Sequence, residues 1–251
     1  MYFCQKIKCM NTSTDWFVSW FDSPYYHILY QNRNDNEAQF FMKNLISFLA
    51  IPTGSEILDI PCGRGRHALY LSTLGYRVTG LDLSINNINF AKNYETNQLI
   101  FEVHDIRNPL LKKYDAVLNL FTSFGYFDAD NEDLQVLTNF KNALKPACFA
   151  VIDFINIEKA IENLVLEEIK FIDGIKFRIT KKLENRFLIK YIEIDDNGSV
   201  HHFYEKVKCI DYNQINNYLD TVGFKLKHTF GNYNLEPFNS KTSDRLILVV
   251  Q

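Results

Sequence analysis

The stretch Ile57-Leu-Asp-Ile-Pro-Cys-Gly-Arg-Gly-Arg-His-Ala68 decides how the rest of the chain reads. Glu56–Ile60 is a short apolar run of strand length, and Pro61–Gly65 is a turn. Ala68, Leu69, Leu71 and Leu74 then supply the buried stripe of a helix. A strand feeding a glycine turn and a helix opens an α/β sheet whose ligands bind beyond the carboxyl ends of the strands. Gly63 and Gly65 remove side chains where a bound nucleoside must approach the backbone. Asp82 closes the next strand, Arg77–Leu83, 17 residues past Gly65, where a carboxylate can accept both ribose hydroxyls.

Outward from this unit the chain keeps alternating. Ser84 is a helix N-cap, Leu99–His104 and Tyr114–Phe121 read as strands, and Leu134, Leu137, Phe140 and Leu144 mark a helix ended by Pro146. Phe149–Phe154 is a fifth strand, apolar enough to be covered on both faces. The pattern predicts an α/β, doubly wound parallel sheet with right-handed crossovers. Between Glu167 and Ile210 it changes. Asp173–Gly174 and Asn197–Gly198 are two-residue hairpin signals between alternating runs, so a small antiparallel β insertion is expected over 167–210. Phe203, Val207 and Cys209 alternate there with Tyr204, Lys206 and Lys208. The main pattern resumes in a helix bearing Ile215, Tyr218, Leu219 and Val222, stopped by Gly223, and in closing strands at Phe224–Thr229 and Leu246–Val250. Upstream, Asn36–Ala50 has a helical period, and the core domain is expected over 15–166 and 211–251. Residues 1–14 show no period and are expected to be disordered or, since Met10 follows, an extension.

Two cofactor classes compete for the loop. Gly63-x-Gly65-x-x-Ala68 fits the relaxed dinucleotide fingerprint. Asp59, however, stands where a pyrophosphate would sit, and two like charges at 4 Å repel by about 4 kcal/mol at an effective dielectric of 20. S-adenosylmethionine carries an ammonium, a sulfonium and no phosphate, so the carboxylate favours it.

With Leu58–Arg66, Val78-Thr-Gly-Leu-Asp-Leu-Ser84, Val103-His-Asp-Ile106, Tyr114–Phe121 and Leu144-Lys-Pro146, the sequence resembles the class I S-adenosylmethionine-dependent methyltransferases over about Asp15 to Val250. Within that family it looks most like small-molecule enzymes with a β insertion before the last helix. The resemblance implies a Rossmann-like seven-stranded sheet with its last strand antiparallel. It also implies that Asp59, Gly63 and Gly65 frame the methionine end of the cofactor, Asp82 the ribose and Leu83 the adenine. Asp105 would take the adenine amino group with Ile106 beside it, and Asn119 and Leu120 would line the methionine portion. Pro61 stands where many members have glycine, and Leu144-Lys-Pro-Ala-Cys148 lacks the usual double glycine.

The acceptor is less legible. Methyl transfer is an in-line displacement in which alignment supplies up to about 7–11 kcal/mol, and a base is required only when the acceptor loses a proton. Asn119-Leu-Phe-Thr122 is not the Asn/Asp-Pro-Pro-Tyr/Phe motif of enzymes that methylate nucleobase or glutamine amino groups. Phe121, Phe124, Tyr126 and Phe127 follow the fourth strand, where aromatic groups can wall a cavity; Phe121 and Phe124 read equally as core. Tyr126 and His201 are the candidate catalytic groups, with Tyr25 or Tyr26 as further hydroxyls. Arg33 is a candidate partner for the donor carboxylate. His201–His202 lacks the further ligands of a metal site, so no metal is expected. The insertion reads both as a lid over the acceptor and as a homodimer surface.

Composition bounds the alternatives. The chain has 251 residues, 47% hydrophobic, with 27 Lys plus Arg against 30 Asp plus Glu, a balance that disfavours a nucleic-acid binder. Five cysteines without a C-x-x-C pair argue against a disulfide framework or zinc site. No apolar run approaches the ~20 residues of a membrane span, and MYFCQKIKCM lacks a signal-peptide core, so a cytoplasmic address is expected. The leading expectation is a methyltransferase acting on a small molecule. A protein or RNA acceptor, and a non-catalytic nucleoside- or dinucleotide-binding protein, stand as alternatives.

Overall fold

The computed structural model describes residues 16–32 and 35–251. Two short helices, α1 (Trp16–Phe21) and α2 (Pro24–Leu29), precede α3 (Asp35–Leu49). There follow β1 (Glu56–Asp59), α4 (Arg66–Thr73), β2 (Arg77–Asp82), α5 (Ile85–Ala91), β3 (Leu99–Val103), β4 (Tyr114–Asn119), α6 (Asp130–Ala143), β5 (Leu144–Ile155) and α7 (Ile157–Glu162). Strands β6 (Glu167–Ile172), β7 (Ile175–Glu184), β8 (Phe187–Asp196) and β9 (Ser199–Lys208) come next. The chain closes with α8 (Tyr212–Val222), β10 (Leu226–Phe230) and β11 (Arg245–Val250).

Seven strands form one sheet in the order β10-β11-β5-β4-β1-β2-β3. Only β11 runs antiparallel to its neighbours, β5 and β10. Adjacent residues on each central strand serve opposite cores. Ile57 and Leu118 pack with Phe41, Met42, Leu71 and Ile88 of α3, α4 and α5, whereas Leu58 and Val117 pack with Phe140 of α6 and Leu219 of α8. Those strands are therefore apolar throughout, as a sheet covered on both faces requires. Helix ends follow local chemistry: the Ser84 hydroxyl accepts from the Asn87 amide, Asp211 accepts from the Gln214 amide, and Gly223 ends α8 in the left-handed region at φ +74°.

Strands β6–β9 make a separate four-stranded antiparallel sheet in sequence order. Asp173–Gly174 and Asn197–Gly198 turn two of its hairpins with both residues at positive φ, as type I′ turns need. The third turn, Asn185–Arg186 (φ +51° and +135°), has no glycine to announce it. Three further expectations are corrected. Leu144 and Pro146 belong to β5 rather than to a helix end, because the strand begins early and bulges: Leu144 pairs with Tyr114 but Phe149 with Ala116. Leu74 caps α4 and is 37% exposed. Lys208, read as one of the polar positions of its strand, is completely buried, because Asp130 and Asp133 of α6 supply its countercharges.

Candidate active site

A cavity of about 1040 Å³ lies between the carboxyl edge of β1, β2 and β4 and the inner face of the β6–β9 sheet, with α1 and α2 along its side. It stands at the upper end of the range for small-molecule sites, roomy enough for two ligands.

The floor is built from main chain. The Asp82 carboxylate accepts from the amides of Gly63 (2.8 Å) and Ser84 (2.8 Å), tying the glycine loop to the end of β2. Burial pushes its pKa up against the pull of those amides. Gly63 sits at φ +56° with nothing within 4 Å of a would-be Cβ, so its open side faces free space. Gly65 differs. A Cβ there would lie 2.5 Å from the buried Phe101 ring, as would one at Gly80, so Gly65 lets β3 pack against the loop.

Asp59 is fully buried directly before the loop, and neither carboxylate oxygen has a partner of good hydrogen-bond geometry. Burial pushes its pKa up to about 7; the Ala68 amide and Arg66 pull it down, and the Asp82 charge raises it. His67, also buried, is held well below its ordinary pKa by burial and by Arg66, so its imidazole is neutral, with Nε2 unpartnered. Burial likewise pushes the Cys62 thiol up, which makes it inert.

Of the candidates named from the sequence, Gly63, Asp82, Leu83, Asp105, Ile106 and Leu120 line the cavity, whereas Asp59 and Gly65 lie behind its lining. Asp105 carries an unforeseen clamp: Arg107 Nε and Nη2 grip its carboxylate at 2.6–3.1 Å, and these bonds outweigh burial to lower its pKa. Asn119 does not line the cavity; its Nδ2 donates to the carbonyls of Ile60 (2.9 Å) and Ser123 (3.2 Å), bracing β1 against the loop after β4. Arg33 lies outside the described residues.

That loop is strained. Phe121 and Thr122 are consecutive non-glycine residues at φ +59° and +60°, a conformation costing about 1–2 kcal/mol per residue. Asp153 of β5 holds both, accepting from the Phe121 amide with its side chain and from the Thr122 amide with its carbonyl. Arg245 of β11 completes the brace with Nε 2.7 Å from Asp153 and Nη2 3.0 Å from the Thr122 hydroxyl. Strain so firmly held is a mark of functional sites. Tyr126 lines the cavity, but its hydroxyl donates to the Thr122 carbonyl. Phe121 lines the wall with Arg66 4.2 Å above its ring, whereas Phe124 is core against Phe154.

His201 is not at the cavity. Register pairs it with Ile194, close to the Asn197–Gly198 turn, and its ring meets that of Tyr25 at 5.0 Å, tilted by 40°. Tyr25 in turn donates to Asp196. The sequence reading missed Glu205, whose carboxylate lines the cavity and accepts from Trp20 Nε1 (2.8 Å) and the Tyr30 hydroxyl (2.6 Å), with Lys190 3.4 Å away. No spacing rule joins residues 175 and more positions apart; only the alternation along β9 hinted that Glu205 shares a face with Phe203 and Val207. Among the described residues no group of three or more His, Cys, Asp or Glu could hold a metal ion, and no helix is long and apolar enough to cross a membrane.

Residues 57–147, spanning the glycine loop, Asp82, Asp105 and β4, match the family model described as a methyltransferase domain. Those residues, about a third of the chain, are thereby similar to the methyltransferase domain family. The putative methyltransferase YqeM of Bacillus subtilis is 29% identical over 108 residues, 41% of this chain and 44% of its own. The match thus spans under half the length of that curated relative. A solved S-adenosylmethionine-dependent methyltransferase from Clostridium acetobutylicum superposes with a TM-score of 0.77 at 17% identity, over 90% of this chain and 95% of that one. The sugar N-methyltransferase KedS8 from Streptoalloteichus sp. gives 0.67 at 17% identity, over 89% and 92%. At such identities the likeness carries the fold, here a methyltransferase fold complete with its antiparallel last strand. S-adenosylmethionine, the cofactor of these methyltransferases, fits the residues present: the buried Asp59 carboxyl behind the loop favours a cation in front of it, and a dinucleotide pyrophosphate would add a second anion there.

Proposed function

We propose that the protein transfers the methyl group of S-adenosylmethionine to a small-molecule acceptor held between the sheet edge and the β6–β9 sheet. The observation that carries the reading is the buried Asp59 carboxyl behind a loop whose Gly63 opens onto the cavity, a site suited to a cationic nucleoside. The bound donor supplies a methyl carbon already activated by its sulfonium. Gly63 faces its methionine end with the Asp59 charge buried behind it, Asp82 uses its remaining lone pairs for the ribose hydroxyls, and Leu83, Asp105 and Ile106 border the adenine. Leu120 lines the methionine side, with Asn119 as brace. Tyr126, Phe121 and the strained loop beneath them shape the wall between donor and acceptor.

Residues 15–166 with 211–251 act as the core, and 167–210 act as a lid. The lid reading is supported by Leu188, Lys190, Glu205 and Val207, which line the same cavity as Gly63 and Asp82. Enclosure on that side suits a small acceptor, since excluding water strengthens the electrostatic contacts inside, and KedS8, named a sugar N-methyltransferase, is a structural neighbour. Calorimetry against S-adenosylmethionine, its demethylated product and NAD tests the reading. Binding of the first two without NAD is expected; binding of NAD alone overturns it.

A further inference from the structure

The inner face of the lid carries an arrangement that donor binding does not explain. In the register of β7, β8 and β9, Lys181 stands directly opposite Lys190, and Lys190 directly opposite Glu205. Like charges facing each other across strands destabilise a sheet, and a lid needing only solubility would turn them to water. Here both line the cavity, with side chains 25% and 16% exposed. Lys170 of β6 joins them, and Glu168 lies between it (3.2 Å) and Lys181 (3.3 Å). Glu205, 3.4 Å from Lys190, also accepts from Trp20 and Tyr30, and Lys190 in turn donates to the Tyr30 hydroxyl and lies 4.6 Å over its ring. This wall therefore sets three ammonium groups against two carboxylates, one of which spreads its charge over neutral donors.

We propose that Lys181 and Lys190, with Lys170 at the rim, are the anchoring subsite for an anionic group of the acceptor, a phosphate or a carboxylate. An oxyanion seated between the facing amines converts their repulsion into two charge-assisted hydrogen bonds, and leaves the rest of the acceptor directed toward the sheet edge. The proposal deepens the methyl-transfer reading and rests on it for the acceptor's identity, but the anion site is testable by itself.

The full chain, with and without saturating demethylated donor, is titrated calorimetrically with pyrophosphate and, separately, with citrate. Lys181→Gln is the first variant because Glu168 keeps Lys170; Lys190→Gln is the second, and Lys182→Gln, outside the cavity, is the control. Binding of pyrophosphate weakened about tenfold or more by Lys181→Gln and Lys190→Gln, and unchanged by Lys182→Gln, supports a phosphate-bearing acceptor. The same pattern for citrate supports a carboxylate. Thermal midpoints of Lys181→Gln at or above wild type show that the loss is not unfolding. Absence of binding by both anions, or equal weakening by Lys182→Gln, overturns the proposal. Failure of the demethylated donor to bind while the anion pattern persists overturns the methyl-transfer reading alone.

Discussion

The two walls of the cavity are made in different ways. The sheet edge is main-chain architecture: a carboxylate takes two backbone amides, one glycine faces open space, another gives way to a phenylalanine, and the groups involved lie within a few residues of strand ends. The lid wall is side-chain architecture, with Trp20, Tyr30, Lys190 and Glu205 meeting from α1, the end of α2, β8 and β9. Between them α1, α2 and the turn that joins them touch both walls. Asp22 accepts from Ser84 (2.5 Å) and Asn86 (2.7 Å) at the start of α5, and His27 meets Asn87 at 3.0 Å, while Trp20 and Tyr25 reach the lid. A wall of backbone groups suits one invariant ligand. A wall of long side chains can be refitted to a different acceptor without disturbing the sheet.

The largest expected effect tests whether the lid is truly fastened. Lys208, at the end of β9, is buried between Asp130 (2.7 Å) and Asp133 of α6. Lys208→Met removes the cation from two carboxylates, and such a break costs about 3–5 kcal/mol. Burial already pushes the Asp133 carboxyl up to about 6, against the pull of Lys208. A carboxyl raised in the folded state holds a proton that the unfolded chain has released above its ordinary value, so its contribution fades as pH rises through about 6. The variant's deficit should accordingly be larger at pH 8 than at pH 5 in urea denaturation. An undiminished midpoint at pH 8 would mean that the lid is held elsewhere.

The second test separates the two glycines. Gly65→Val drives a side chain into Phe101 from a left-handed residue, with overpacking at about 1–3 kcal/mol and conformational strain at about 1–2. Its thermal midpoint should fall sharply. Gly63→Ala carries only the strain, because its Cβ meets nothing, and its deficit should appear chiefly as lost affinity for the demethylated donor. If the two variants behave alike, the loop is one rigid turn and the distinction fails.

This contrast also explains what the sequence could disclose. The places of the strands along the chain follow from hydrophobic runs and turn signals, and the carboxyl edge from acids and glycines at strand ends, because backbone geometry restricts residue type at fixed offsets. Even there the reasons differ: the sequence cannot say that Gly65 yields to Phe101, 36 positions on, while Gly63 faces open space. The hairpin at Asn185–Arg186 lacked glycine, Leu144 continued a helical period into a strand, and Lys208 looked like a solvated position. Glu205 was illegible because its partners come from α1 and α2, and tertiary convergence leaves no local period.

Asp82→Ala is the third test, on the sheet edge itself. It removes the acceptor of two amides and the group assigned to the ribose, and should weaken donor binding by about 1.5–3 kcal/mol, the range for bonds to a charged group. The Gly63 and Ser84 amides lose their partner as well, so unfolding should be monitored in parallel. Unchanged affinity in the folded variant would remove Asp82 from the site, whereas a similar loss from changes on the lid would blur the contrast between the two walls.

The smallest effect is a proton. Asp59 is pushed up to about 7 by burial, so near neutrality the free protein holds a mixture of protonated and ionised carboxyl. A cationic donor favours the ionised form and lowers that value on binding. Association must therefore release protons below about pH 7, and affinity should rise with pH and level off above it. Between pH 8 and pH 6 the change is about tenfold, or 1.4 kcal/mol, if binding lowers the carboxyl by at least a unit below the working pH. Stability of the free protein moves the other way, declining from about pH 4 to about pH 7 as the folded state keeps a proton that the unfolded chain has lost. Calorimetric titration with S-adenosylmethionine at pH 6.5 in phosphate and in an amine buffer reads the release directly, because the two buffers absorb protons with different heats. Asp59→Asn should bind more weakly at pH 8, lose the pH dependence and give the same heat in both buffers. Proton release that survives Asp59→Asn would assign the titration to another group, and would leave the buried carboxyl without the cation it is expected to meet.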